Sequence, residues 1–364
     1  MSKIYKVIGL MSGTSLDGVD AALIETDGED VVRPGPGLTI AYTPEMRALL
    51  RAALDDARVV AEGGPVPHSI REATRRLTEV HADAVKALMR QTGPVDLIGF
   101  HGQTILHRPE RRWTWQIGDG ALLARLTGID VVNDFRSADV KAGGQGAPLM
   151  PLYHAALAKN SPLARPLVVV NIGGVAQVTY INGDYILAFD TGPGNAPIDD
   201  WMHRHAGAPV DMNGDFAATG KINDAALDAM LANPFFDRLP PKSLDRMDFG
   251  MEAVEALSPA DGAATLTAFT AASLVKAREH FPEAPATWIV SGGGRHNQTL
   301  MQMLQARINA QVLKAEGARW DGDALEAEGF AYLAVRSVKG LPLSLPTTTG
   351  VPQPMTGGRF HSAG

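Results

Sequence analysis

Apolar runs broken by short polar turns divide this chain into two stretches of similar layout. Val7, Ile8 and Leu10 are apolar, and residues 19–24 are apolar again apart from Asp20. Between them lie Ser12, Gly13, Thr14, Ser15 and Gly18, so the pattern predicts two strands joined by a tip of small and hydroxylic residues. Residues 38–42 read as a third strand, and Pro44 starts a helix to about residue 57. After a break at 63–67, Ile70, Ala73, Leu77, Val80, Ala84 and Leu88 recur three and four apart, the mark of a helix with one buried face, which Gly93-Pro94 ends. Residues 96–100 predict a buried strand that ends at His101, Gly102, Gln103 and Thr104, at the sheet edge where open α/β folds bind ligands. A helix over 121–127 and a strand over 129–132 follow, the strand ending in Asn133, Asp134, Phe135 and Arg136.

The small residues 141–148 read as a crossover and hinge, followed by a helix over 149–158. The layout then repeats. Residues 167–170 form a strand, Asn171 to Gly174 a tight turn, and 175–181 the return. A third strand covers 185–189, a dense loop 190–195 and a helix 196–206. Helices over 223–232 and 259–281 fill the middle. A strand over 288–290 closes in Ser291, Gly292, Gly293 and Gly294. A helix over 298–308, a strand over 311–314 and a last helix over 325–339 precede a tail, rich in Pro, Thr and Gly, that reads as extended or partly ordered. The expectation is an α/β chain of two lobes, 1–140 and 141–340, with the tail 341–364 packed back on the first and a cleft between them. Two such halves with paired Gly-rich tips make the two-lobed actin-like (ribonuclease H-like) ATPase architecture.

Composition narrows the partners. A net charge of −7 with scattered basic residues argues against nucleic acid or an anionic membrane surface. The absence of cysteine excludes disulfides, thiolate metal sites and a Cys nucleophile. Residues 4–8 already read as strand and no apolar run reaches membrane-spanning length, so a soluble, cytoplasmic protein is expected.

The chemistry gathers at the turns. A tip of Gly13, Thr14, Ser15 and Gly18 offers backbone amides and hydroxyls to a phosphate, and Asp17 and Asp20 beside it suit Mg²⁺; the plain alternative is an ordinary Gly-rich turn. No P-loop, dinucleotide fingerprint, protein-kinase motif set or nucleophile elbow is present. A nucleotide therefore needs Gly13 to Gly18, Gly173-Gly174 and Gly292 to Gly294, which occur in that order. Asp190-Thr191-Gly192 matches the aspartic-protease loop, but that chemistry takes two such aspartates and the chain has one. A lone carboxylate there suits a general base, or caps the following turn. His203 and His205 sit two apart on a helix and face different ways, so they do not make a metal pair. His101 is a substrate contact or a satisfied strand-end histidine. Trp113 and Trp115 share a strand face, for core packing, a dimer contact or sugar stacking.

Met11 to Asp20, Phe100-His101-Gly102-Gln103-Thr104, Asn133-Asp134-Phe135-Arg136, Asn171-Ile172-Gly173-Gly174, Phe189 to Asn195, Ser291 to Gly294 and Glu326-Ala327 together resemble the signature of the anhydro-N-acetylmuramic acid kinases. The match runs nearly end to end and departs at Glu328-Gly329, where the family pattern has a small or apolar residue and then Ala. The resemblance implies a bacterial cytoplasmic homodimer of peptidoglycan recycling. It would convert 1,6-anhydro-N-acetylmuramic acid, ATP and water to N-acetylmuramic acid 6-phosphate and ADP. It makes Asp190 the base that activates water. It gives Gly13, Thr14, Ser15, Leu16, Asp17, Gly18, Val19 and Asp20 to the phosphates and Mg²⁺, with Asp17 and Asp20 for the metal. Gly173, Gly174, Gly292, Gly293 and Gly294 complete the nucleotide set. Ser12, His101, Gln103, Arg136, Asn195 and Glu326 would orient the sugar, Arg136 on the lactyl carboxylate. The competing readings are an ordinary hexose-type kinase on the same fold, and a nucleotide-gated assembly or chaperone module. The last would carry a peptide-binding domain for which no residues are left over.

Overall fold

The computed structural model describes residues 3–13, 15–244 and 249–364. The chain divides into two compact units, Met1–Asn160 with Ala324–Gly364, and Ser161–Asp323. In the first, β1 (Tyr5–Ser12), β2 (Gly18–Thr26) and β3 (Val32–Ala41) form an antiparallel meander. β4 (Leu97–Arg108) lies parallel to β1, β5 (Trp113–Ile117) folds back antiparallel on its far half, and β6 (Val131–Asn133) runs parallel beside its near half. In the second unit β7 (Leu167–Ile172), β8 (Val175–Asn182) and β9 (Tyr185–Pro193) repeat the meander. β10 (Thr287–Ser291) lies parallel to β7, and β11 (Gln311–Lys314) parallel to β10. The two sheets share one order, β3-β2-β1-β4-β6 and β9-β8-β7-β10-β11, with only the second strand of each reversed. This duplicated sheet is the actin-like, ribonuclease H-like ATPase fold.

Strand alternation sorts the first sheet's faces. Ile8, Leu10, Ile98 and Phe100 pack with Leu50, Leu77 and Leu88 of the helices Pro44–Val59 and His68–Thr92. Pro44 and the Thr43 hydroxyl, which accepts the Met46 N–H, start the first of these helices; such a cap is worth about 1 kcal/mol. On the opposite face Gly9 and Gly99 let the helix Leu325–Val338 lie backbone to backbone on the sheet. A Cβ on Gly9 would stand 1.7 Å from the Ala327 carbonyl oxygen, and one on Gly99 2.2 Å from that of Phe330. In the second unit Val168, Val170, Val178, Tyr180 and Phe189 pack with Ala271, Leu274, Leu300 and Leu304 of the helices Pro259–Lys276 and Gln298–Arg307.

Several expectations need correction. The first unit extends to Asn160 rather than 140, and the helices Pro151–Lys159 and Leu325–Val338 belong to it. The glycines expected to form a hinge lie inside that unit, because Asp139 is buried among them. Its carboxylate accepts the Gly146 N–H at 2.7 Å, its carbonyl the Gly144 N–H at 3.0 Å, and Gln145 N–H reaches the Thr349 carbonyl at 2.6 Å. Residues 101–104 lie within β4 and not at its end, because pairing with β5 carries the strand on to Arg108. Asp190 likewise stands within β9, not in a loop, because β8 pairs as far as Pro193. The tail groups with the first unit, where β12 (Arg359–His361) adds antiparallel to β6 and a short helix covers Pro346–Thr349.

Candidate active site

The β1–β2 tip is built around a buried leucine. Leu16 takes a left-handed backbone, φ 58°, of the kind that costs on the order of 1–3 kcal/mol in a side-chain-bearing residue, and packs with Val19 and Tyr42 in the core. Its N–H donates to the Gly13 carbonyl at 3.2 Å, while Ser15 and Asp17 stay exposed. Thr14 lies outside the described residues. Gly18 is fixed by close packing: a Cβ would meet the Ile40 carbonyl oxygen at 2.3 Å. The Tyr42 N–H donates to the Asp17 carbonyl at 2.8 Å, so strand pairing reaches Asp17, and Asp20 accepts a hydrogen bond from the Thr39 hydroxyl at 2.6 Å. Three positions apart on extended backbone, Asp17 and Asp20 face opposite sides and do not form one chelate. Among the described residues no three His, Cys, Asp or Glu side chains gather to hold a metal ion.

Two polar clusters follow in the same unit. The Ser12 hydroxyl donates to Gln103 Oε1 at 2.6 Å, and that assigns the neighbouring Tyr42 hydroxyl, at 2.7 Å, as donor to Ser12. His101 and Arg136 make the second. Nδ1–H of His101 donates to the Gly102 carbonyl at 2.9 Å, which leaves Nε2 to accept Arg136 Nε–H at 2.9 Å. Burial, then the adjacent guanidinium, holds His101 far below the usual imidazole range, so it is a neutral acceptor. Arg136 Nη1–H donates to the Gly146 carbonyl at 2.7 Å, and burial lowers the guanidinium to about 10, still cationic at neutral pH. Glu326, in the first turn of the closing helix, is close enough to favour the cation, and the Phe330 ring packs tilted against His101 at 4.4 Å between ring centres. His101, Arg136 and Glu326 thus come together, as do Ser12 and Gln103. The departure at Glu328-Gly329 is structural. Glu328 accepts from the Tyr153 hydroxyl at 2.6 Å, and a Cβ at 329 would stand 2.1 Å from Met150 Sδ.

The second unit gathers the remaining glycines around Ile172 and Asn195. The Asn195 N–H donates to the Gly173 carbonyl at 2.7 Å and its Nδ2 to the Ile172 carbonyl at 3.3 Å. Gly292, at φ 74°, turns beneath them: a Cβ there would meet Asn171 Oδ1 at 2.3 Å and the Ile172 carbonyl oxygen at 2.6 Å. Gly293 and Gly294 face Asn195, and Gly174 accepts the Gly194 N–H at 2.9 Å.

Asp190 is 3 % exposed and stands opposite Gln177 where β9 bulges at Thr191 against β8. Leu244 N–H donates to its Oδ2 at 2.8 Å, while Oδ1 is buried with no hydrogen-bond partner among the described residues. Burial raises the carboxyl to about 7, against the smaller pull of the Leu244 amide and Gln177. A buried carboxyl near neutrality, with one oxygen lacking a hydrogen-bond partner among the described residues, is equipped to take a proton from water. Tyr42, Gly146, Gln177 and Leu244 escape a sequence reading because they act through backbone or from distant strands.

Trp113 and Trp115 stack at 6.3 Å on β5 and pack against the first core.

Residues 5–362 match the family model described as Anhydro-N-acetylmuramic acid kinase. An anhydro-N-acetylmuramic acid kinase of Rhodospirillum rubrum is 54 % identical, covering 98 % of this chain and 94 % of its own. One of Rhizorhabdus wittichii is 53 % identical over 99 % of this chain and 100 % of its own. The solved structure of a ROK family glucokinase from Streptomyces griseus in complex with glucose and AMPPNP overlaps 90 % of this chain and 99 % of its own at 15 % identity and a TM-score of 0.43, too loosely to carry residues across. With a family match over nearly its whole length and relatives at more than half identity, this chain belongs to the anhydro-N-acetylmuramic acid kinase family.

Proposed function

We propose that this kinase opens the anhydro bridge of 1,6-anhydro-N-acetylmuramic acid with water and phosphorylates the freed O6 from ATP, giving N-acetylmuramic acid 6-phosphate and ADP. The observation that carries this reading is Asp190, a buried carboxyl held at one oxygen and raised to about 7. Its open oxygen takes a proton from water as that water bonds to the anomeric carbon. The C1–O6 bond breaks, and O6 leaves with its electron pair to attack the γ-phosphorus, whose bond to the β–γ bridging oxygen breaks to release ADP. One base thereby serves both halves, because the leaving oxygen of the first is the nucleophile of the second.

Arg136, with its Nη2 not engaged among the described residues, takes the lactyl carboxylate; His101 fixes the plane of that guanidinium. Ser12, Gln103, Asn195 and Glu326 orient the sugar. The tip Gly13–Asp20 and the cluster of Gly173, Gly174, Gly292, Gly293 and Gly294 hold the nucleotide. Asp20, aligned by Thr39, is the better oriented of the two candidates and would hold a Mg²⁺ shared with the phosphates. When bound, the ion would offset charge on the transferring phosphoryl group.

The same reading places the reaction in cytoplasmic peptidoglycan recycling and the enzyme as a homodimer, a state that light scattering after size exclusion checks. Among the described residues no helix is long and apolar enough to cross a membrane. The test is ADP release with the anhydro sugar against its ring-opened form, run in ¹⁸O-water. Turnover of the anhydro sugar with label at the anomeric hydroxyl is expected. Preference for the opened sugar, or for a common hexose, would instead make this an ordinary sugar kinase.

A further inference from the structure

We propose that Lys242 is a positioning residue for Asp190, anchoring the backbone segment that supplies the hydrogen bond to the Asp190 carboxylate. The inference rests on the reading of Asp190 as general base. Two backbone groups of this segment grip Asp190: the Asp190 N–H donates to the Lys242 carbonyl at 3.0 Å, and Leu244 N–H donates to Asp190 Oδ2 at 2.8 Å. Residues 242–244 belong to no helix or strand, so nothing in regular secondary structure fixes that grip.

The Lys242 side chain does. It is 4 % exposed, and its ammonium donates to the carbonyls of Phe235 and Phe236, each at 3.1 Å. It lies 3.4 Å from His280 Nε2 and 4.6 Å from the Phe235 ring centre. Phe235 and Phe236 sit in an apolar cluster with Phe249 and Phe269. The chain is thereby tied by its side chain to one wall and by its backbone to Asp190. A buried ammonium spent on two main-chain carbonyls, with no carboxylate bonded to it among the described residues, is an anchor and not an ion pair.

The groups bearing on Lys242 are Arg238, Lys276 and His280, with Asp237 and Glu279 more weakly opposed; none of them acts on Asp190, whose surroundings are Gln177 and the Leu244 amide. Lys242 therefore reaches Asp190 through geometry and not through its charge. An amine that loses its proton still has two N–H donors for the two carbonyls, so the anchor holds on both sides of its own titration.

Removing the anchor lets the Leu244 amide drift from Oδ2. That amide favours the ionised carboxylate, so its loss moves Asp190 further up. The test pairs Lys242→Met, which keeps the apolar stem, with Leu244→Pro, which deletes the amide donor itself. Asp190 is titrated in each by carboxyl ¹³C NMR, the resonance assigned from Asp190→Asn, and kcat/KM is followed against pH. Expected is an upward move of the Asp190 titration by roughly one pH unit in both variants. The acid limb of kcat/KM moves by the same amount, and the double variant shows no further shift. Loss of turnover with an unmoved Asp190 titration would make Lys242 merely structural and overturn the proposal. A moved titration in an enzyme whose Asp190→Asn variant still turns over would leave the anchor standing and remove the general-base reading.

Discussion

Two buried polar sites on sister sheets are finished in opposite ways. Around His101 in the first unit the hydrogen bonds close: the imidazole uses both nitrogens, and Ser12 both donates and accepts. At Asp190 in the second unit they stop one short, with Oδ1 buried and without a partner among the described residues. Burial moves both groups toward their neutral forms, His101 downward and Asp190 upward. The consequences differ. A histidine held neutral across the working range is a fixed acceptor and serves recognition. A carboxyl brought to about 7 changes charge near neutral pH, which suits it to the proton transfer proposed for it.

The contrast breaks most sharply at Asp190. Asp190→Asn keeps the shape and removes the base, so turnover should fall by about 10³-fold, within the span general-base catalysis supplies, while ATP affinity by calorimetry stays unchanged. Near-normal turnover would end the distinction. Arg136→Gln tests the other side: the sugar KM should rise on the order of 10–100-fold, the loss of charge-assisted hydrogen bonds, with a much smaller change in kcat. A fall in kcat alone would move Arg136 out of recognition. Gly292→Ala brings a Cβ to 2.3 Å from Asn171 Oδ1 and strains a left-handed turn, and should weaken nucleotide binding by roughly tenfold without altering sugar preference.

The smallest effect is on stability. A carboxyl at about 7 when folded, against the ordinary aspartate value of 3.8, binds its proton more tightly in the folded chain. Asp190 therefore costs nothing below about pH 4, costs increasingly more as pH rises to 7, and then levels off. Asp190→Asn should raise Tm by a few degrees at pH 8 and by almost nothing near pH 4, as thermal melts would show. A variant less stable at pH 8 would mean the buried carboxylate is compensated after all.

Much of the fold is written locally. Alternating runs bounded by glycine place the meanders, and the three-and-four spacing from Ile70 to Leu88 marks a helix that the structure carries over His68–Thr92. What fails to show locally is strand extension. His101 to Thr104 and Asp190 to Pro193 look like loop because they are polar or Gly-rich, yet pairing from β5 and β8 keeps them extended. The unit boundary is hidden for the same kind of reason: Gly143 to Gly146 look flexible, but a buried aspartate four residues upstream of Gly143 ties them down. The glycine tips, Asp190 and Arg136 announce themselves by residue type. Leu244 does not, because its contribution is a main-chain N–H that any residue but proline would offer.

The central claim is that Asp190 titrates near neutrality and must be ionised to work. The pH dependence of kcat/KM for the anhydro sugar between pH 5 and 9 tests it most directly, since that profile reports groups of the free enzyme. An acid limb with its midpoint near 7, absent from the residual activity of Asp190→Asn, is the predicted result. A rate that stays flat down to pH 5 would contradict it.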